Sequence, residues 1–286
     1  MSKSLFWRNP DIPQIELRRV EDGRKVNYAP HSHQQWSIGA ITHGVARYQY
    51  RQDSYAIAEQ DLVMMNPEWV HSCNPVDNQP WAYWMMYVDT DWLTQLSFEA
   101  GLLQQPHWQP ISRAMIRPQD HSHLWYQDYC RVAEAFIDDN SDLLEKQSLL
   151  IDFLLSLMSW LRDVSVSVAD SQQPQLQKPE PLPPQALRQV AALLEQNLSE
   201  TPQLSQLTAL ADCSEGHLIR SFKQYFGLTP HAYLINRRIQ YSQQLLKQGM
   251  DIVDVAQQLA FSDQAHFQRT FKRLTATTPG QYLKNG

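Results

Sequence analysis

The chain has 286 residues, 43% of them apolar, which suits two domains of ordinary size with separate cores. No apolar run is long enough to span a membrane, and Met1 to Pro13 carries no signal-peptide pattern; the three unpatterned cysteines, Cys73, Cys130 and Cys213, fit a reduced, cytoplasmic protein. The net charge of -6 argues against nucleic acid only until it is divided: residues 1–184 hold 14 basic and 23 acidic side chains and residues 185–286 hold 10 and 7, which together make the 24 and 30 of the whole chain.

From about Leu5 to Pro118 the sequence predicts strands. Trp36 to Ile41, Ala46 to Arg51, Asp61 to Met65 and Tyr83 to Val88 are short apolar or alternating runs separated by turn-like stretches. Tyr48 and Tyr50 alternate with Arg47, Gln49 and Arg51, so both rings share one side of a half-buried strand. Several short strands with regular breaks predict a barrel or sandwich.

Two segments in this region bear on chemistry. His31-Ser32-His33-Gln34-Gln35-Trp36 and Asn66-Pro67-Glu68-Trp69-Val70-His71 resemble the ligand-bearing segments of the cupin jelly roll. In metal-binding cupins an H-x-H pair, a downstream carboxylate and a later histidine share one ion. His31, His33 and His71 match the histidines, but Gln35 stands near the place of the carboxylate, and hard divalent ions depend on that charge. The expectation is therefore a pocket without metal or other cofactor, built from His31, His33, Gln35, Tyr50, His71 and Trp84 among many aromatic side chains. Aromatic faces of this kind favour an amino acid or another amine as the ligand.

From about Asp120 the period becomes helical. His121 to Ile137 predicts one helix and Ser141 to Arg162 a second, with Leu143, Leu150 and Leu157 in one line and Leu144, Ile151 and Met158 in the next. Two adjacent apolar lines can serve both the barrel and a second subunit. Residues 163–184 lose periodicity and turn rich in Ser, Gln and Pro, the composition of a linker. Gln185 to Leu198 restarts a helix through Leu187, Val190, Ala191 and Leu194.

The remainder contains one device written twice. Arg220, Phe222, Lys223, Thr229, Pro230, Tyr233 and Leu234 recur 49 residues later as Arg269, Phe271, Lys272, Thr278, Pro279, Tyr282 and Leu283. Upstream the offset is 48, from Leu204, Leu207 and Ser214 to Ile252, Val255 and Ser262, which places an extra residue at the start of the second copy's second helix. Each copy reads as a helix, a tight turn and a second helix, with Ser214 capping the first copy and Ser262 or Asp263 the second. Between them Thr229 caps a longer helix with Pro230 at its first position.

This segment resembles the DNA-binding domain of the AraC/XylS family of bacterial transcription regulators. The late block of Ile252, Val255, Ala256, Phe261, Phe267, Arg269, Phe271, Lys272, Thr278-Pro279 and Tyr282 carries most of the resemblance. One departure is Ala260, where a Gly commonly ends the helix. The resemblance implies an α+β protein of two domains: a cupin-like ligand-sensing barrel over 1–118 with helices over 119–162 for packing and dimerisation, then, after the linker, an all-α domain over 185–286 with two helix-turn-helix units. It also implies that Ser214, Gly216, His217, Ile219, Arg220 and Lys223 of one unit, and Asp263, Gln264, Ala265, His266, Gln268, Arg269 and Lys272 of the other, face DNA. Arg220 and Arg269 are the candidates for base contacts, because a guanidinium pairs with guanine in a bidentate way. Lys223, Arg237, Lys272 and Arg273 are read as phosphate contacts or solvated charges.

The expected protein is thus not an enzyme but a regulator of a nearby transport or metabolic gene. Its partners would be double-stranded DNA, a small-molecule effector, a second copy of itself and, at an activated promoter, RNA polymerase, with no membrane. The alternatives are a cupin-type metal enzyme, a dioxygenase or isomerase, with a helical extension, and a partner-binding protein whose repeat no longer reads DNA.

Overall fold

The computed structural model of the chain describes residues 4–120, 123–138, 142–167 and 185–284. The expected linker lies mostly outside them, at 168–184.

The first half is a rolled antiparallel sheet. Its strands are β1 (Ser4–Trp7), β2 (Ile15–Val20), β3 (Trp36–Tyr50), β4 (Asp53–Ala58), β5 (Leu62–Met65), β6 (His71–Pro75), β7 (Trp81–Val88) and β8 (Met115–Ile116). β3 organises it. The two runs that read as separate strands are one 15-residue strand, whose first half pairs with β7 and β5 and whose second half pairs with β4 and β6. It turns where the β7 register shifts between Ile41 and His43, beside Gly44 at φ +75°, where a Cβ would meet the Pro80 carbonyl oxygen at 2.1 Å. Only glycine fits that bend.

Alternation along the strands separates two cores. Tyr48, Tyr50, Met65, Tyr83 and Met85 point into the roll; Trp36, Ile38, Met64, Met86 and Val88 point outward, under helices. Those helices are α1 (Thr90–Glu99), α2 (His123–Ile137) and α3 (Leu143–Ser167). The first falls inside the region read entirely as strands. Asp89 caps it, accepting from Trp92 N at 2.8 Å, and Leu93 anchors it in the outer core. Helix α3 buries Leu150, Leu154, Leu157, Met158 and Leu161 against the roll and runs on through Ser167, five residues past the sequence expectation. Of its second line, Leu144 is 73% exposed.

The second half is helical: α4 (Gln185–Gln196), α5 (Leu204–Ala211), α6 (Glu215–Phe226), α7 (Pro230–Lys247), α8 (Ile252–Gln258), α9 (Gln264–Thr275) and α10 (Pro279–Lys284). Thr229 caps α7 as expected, accepting from Ala232 N. One end of α7 gives Tyr233 and Leu234 to the core of the first repeat, and the rest gives Ile235, Ile239, Leu245 and Leu246 to the core of the second. A single rigid helix therefore sets both units. Arg238, 3% exposed, braces it by donating to the Leu198 and Glu200 carbonyls beyond the end of α4.

The halves are docked. Phe6 of β1 enters the core of the second repeat and Val70 that of the first, where its side chain lies 2.8 Å from the position a Cβ on Gly227 would take. Asn236 of α7 exchanges buried hydrogen bonds with Ser32, and Lys247 pairs with Glu16 at 2.7 Å.

Candidate nucleic-acid interface and ligand cavity

The two helix-turn-helix units share their backbone logic. The first helix of each ends on a left-handed residue, Asp212 at φ +47° and Ala260 at φ +52°, so the turn lacking glycine is made at a modest cost in strain. The second helices end the same way at Gly227 (φ +74°) and Ala276 (φ +53°). The extra residue of the second copy lies in the turn, not in the helix. Ser262 stands outside α9, and Asp263 takes the N-cap, accepting from His266 N at 2.6 Å. Ser214 is the N-cap of α6 but makes no side-chain capping bond.

Both second helices are sharply two-faced. In α6, Leu218 and Phe222 are buried, while Gly216, His217, Ile219, Arg220 and Lys223 are exposed. The Arg220 guanidinium lies over Gly216, with Nη1 3.5 Å from where a Cβ would stand. In α9, Phe267, Thr270, Phe271 and Leu274 are buried, while Gln264, Ala265, Arg269 and Lys272 are exposed. His266 and Gln268 are half-buried; His266 packs on Phe261 and meets Ser262 Oγ at 3.1 Å. Each helix thus presents an exposed face that carries an arginine and a lysine among small, apolar and polar residues.

Arg237 is not on that surface. Its side chain is 14% exposed, paired with Glu68 of the barrel at 2.6 Å and with Glu195 of α4 at 2.9 Å. The sequence reading as a phosphate contact is corrected: Arg237 joins the two halves. A helical charge reads as solvated until a partner distant in sequence is known.

In the barrel the three histidines converge. His31 and His71 exchange backbone hydrogen bonds at 3.0 and 2.8 Å, and their rings lie 4.6 Å apart by centroid. His33 lies 4.8 Å from His71 and 6.4 Å from His31. Burial pushes His31 and His33 down to about 4, and His71 well below its ordinary value, so all three rings are neutral at pH 7. Among the described residues no group of His, Cys, Asp or Glu is arranged to hold a metal ion.

His31 and His33 line two cavities. One lies inside the roll, with His71, Cys73, Tyr83 and Met85. The other, of about 100 Å³, opens at the seam between barrel and helices, where Arg18, Tyr28, Gln35 and Tyr87 face Asn236, Gln240, Lys247, Thr275 and Tyr282. Of the expected pocket residues, Trp84 borders the inner cavity, but alternation along β7 sends its ring to the helix-covered face with Trp36 and Met86. Tyr50 lines neither cavity. It is 1% exposed, stacked on Tyr48, and its hydroxyl accepts from Asn66 N at 2.9 Å.

Sequence reasoning missed Glu16, Arg18, Ser32, Asn236, Gln240 and Lys247. Alternation puts Glu16 and Arg18 on one side of β2 and Arg19 on the other, so a charged face is legible but not which way it turns. Arg18 is 2% exposed, and its Nη1 donates to Tyr28 Oη at 2.6 Å and to the Thr275 carbonyl at 2.8 Å.

Comparison with known proteins agrees with this layout. Residues 15–129 match the model of an AraC-like ligand binding domain, and residues 207–285 match that of a helix-turn-helix domain. The uncharacterised helix-turn-helix transcriptional regulator YbfI of Bacillus subtilis is 29% identical over 88% of this chain and 85% of its own length. The MmsAB operon regulatory protein of Pseudomonas aeruginosa is 23% identical over 80% of this chain and 67% of its own. The Neisseria gonorrhoeae regulator MtrA is 38% identical, over 29% of this chain and 28% of its own length. Among solved structures, ToxT from Vibrio cholerae superimposes over 95% of this chain and 97% of its own with a TM-score of 0.56, at 13% identity.

Proposed function

This chain belongs to the AraC family, DNA-binding transcriptional regulators with a ligand-binding domain, and on that premise we propose that α6 and α9 read two successive stretches of major groove while the barrel senses a small molecule that adjusts their placement. The observation that carries this reading is the repetition of an exposed arginine and lysine, Arg220 with Lys223 and Arg269 with Lys272, on two helices fixed to the single helix α7. Both units then address one side of the duplex, about 34 Å apart. The proposed DNA contacts are Ser214, Gly216, His217, Ile219, Arg220 and Lys223 in the first unit. In the second they are Asp263, Gln264, Ala265, His266, Gln268, Arg269 and Lys272. Asp263 acts mainly as the helix cap, and the second unit supplies more polar base contacts because Gly216 and Ile219 offer only shape.

The proposed ligand contacts are His31, His33 and Gln35 at the seam and His71 within the roll. The ligand proposed is an amine or amino acid, and the gene controlled is one for its transport or metabolism. Exposed Leu144 of α3 supports pairing of two copies through that helix; a Leu144→Asp variant that stays as dimeric as the parent in sedimentation would remove this part. Selection from random duplexes tests the core of the proposal. Enrichment of a bipartite site spanning about one helical turn supports it, and no enrichment at any salt concentration sinks it. The relatives compared are transcriptional regulators, which weighs against the metal-enzyme alternative.

A further inference from the structure

The three imidazoles and Arg18 form a buried polar surface in which, among the described residues, Ser37 Oγ lies 3.4 Å from His33 Nε2 and the Arg18 Nε is without a partner. Each Nδ1 lies against a main-chain carbonyl: His31 against Ala29 at 2.9 Å, His33 against Gln35 at 2.7 Å, His71 against Trp69 at 2.8 Å. A carbonyl only accepts, so in each neutral ring Nδ1 carries the proton and Nε2 is left as an acceptor. Paired backbone bonds between His31 and His71 hold two of the rings rigidly. The cluster is therefore three acceptors, locked in tautomer, on the walls of adjoining cavities.

A primary ammonium offers three N–H donors to such a set; a hydroxyl offers one and a carboxylate none. Aromatic rings stand beside the trio: Tyr28 is stacked on His31 at 5.1 Å with the Arg18 guanidinium 5.7 Å over the same ring, and Tyr87 stands at a right angle to His33 at 5.3 Å.

Arg18 supplies the opposite pole. Its guanidinium is buried and donates to the Tyr28 and Ser4 hydroxyls and the Thr275 carbonyl, Tyr87 also lies in hydrogen-bonding contact with it, and its Nε has no partner among the described residues. Among the described residues no carboxylate pairs with it directly; Glu16 acts on it at longer range, and a buried charge without a direct partner is costly. The carboxylate on the same cavity wall, Glu16, is already held by Arg8 at 2.8 Å and Lys247 at 2.7 Å. Tyr28 spans the two poles, its hydroxyl on Arg18 and its ring on His31. A simple amine would meet the field of Arg18 only partly offset by Glu16, whereas a molecule carrying its own carboxylate would oppose it directly.

We propose that the effector is a small amino acid bound as its zwitterion, with its ammonium on Nε2 of His31, His33 and His71 and its carboxylate on Arg18. This rests on the reading of the barrel as the sensing domain. It also gives the ligand a route to the DNA-binding half. The guanidinium that takes the carboxylate holds the last carbonyl of α9 at Thr275, and Ala29, two residues before His31, donates its N–H to the Arg273 carbonyl. Binding would thus act on the C-terminal end of the second recognition helix.

The test is calorimetric titration of the full chain with the twenty common amino acids, β-alanine and γ-aminobutyrate, with butylamine and butyrate as single-charge controls. Every binder is repeated as its carboxamide and as its des-amino acid. The expected result is at least one zwitterion that binds, at least about tenfold weaker binding of both its analogues, and loss of the carboxylate preference in Arg18→Gln. Binding should also change amide exchange at residues 273–275. No zwitterion binding, or a carboxamide or des-amino analogue equal to its parent, overturns the proposal; because the analogues are applied to the unaltered chain, the outcome does not depend on a variant folding. Binding of a control alone would keep the sensing barrel and reject the zwitterion, and the duplex selection measures the DNA-reading function separately.

Discussion

Arg237 of α7 and Glu68 of the barrel meet at 2.6 Å across the boundary between the two halves, and the same guanidinium is shared with Glu195 of α4 at 2.9 Å. Burial raises the Glu68 carboxyl and the arginine opposes that rise, so the pair is a clasp between domains more than a source of stability. Glu68 is 38% exposed, and solvent screening limits the pair to about 1 kcal/mol or less. Glu68→Gln is expected to leave the melting temperature nearly unchanged while amide exchange quickens in α7 and in the 66–70 loop. Unchanged exchange there would show that Val70, Phe6 and the Ser32–Asn236 bonds hold the seam by themselves.

The histidine trio predicts how stability follows pH. The folded rings titrate below their unfolded values, near 4 for His31 and His33, so between about pH 6.5 and 4 the unfolded chain binds more protons. Their contribution is complete above about pH 6.5 and is lost as pH falls toward 4, on the order of 2–3 kcal/mol for one ring. Melting curves over this window should show the fall, and a His71→Gln variant that still folds should show a shallower one. Identical slopes in parent and variant would place the titrating groups elsewhere.

Two turns carry alanine where the backbone is left-handed, Ala260 at φ +52° and Ala276 at φ +53°. Glycine adopts that conformation without a Cβ clash. Ala260→Gly and Ala276→Gly are each expected to stabilise the second unit, by about 1 kcal/mol or less once glycine's greater unfolded-state freedom is included. Denaturant midpoints that fall in both variants would contradict this account of the turns.

The fold was most legible where periodicity and punctuation coincide. The repeat, Thr229-Pro230 at the start of α7 and the apolar spacing of α8 and α9 identify the second half from sequence alone. In the first half the strands were legible, but the continuity of β3 was not, because its bend at Gly44 looks like a turn between two strands. Helix α1 was hidden in a stretch read as barrel, although Asp89 with Trp92, Leu93 and Leu96 carries a capped helical pattern. At the site, the H-x-H spacing and His71 pointed to three residues that do meet. Arg18, Glu16 and Lys247 remained hidden, because their roles depend on a seam between segments more than 200 residues apart, which no local pattern encodes.

The central claim is that the two exposed arginines read separate halves of one site. The most direct measurement is duplex selection carried out in parallel with the parent chain, Arg220→Ala and Arg269→Ala, each checked for an unchanged circular dichroism spectrum. A two-part motif is expected from the parent, with Arg220→Ala losing preference in one half and Arg269→Ala in the other, each by about 1–3 kcal/mol of base discrimination. A motif unaltered in both variants would contradict the assignment of α6 and α9 as the reading helices.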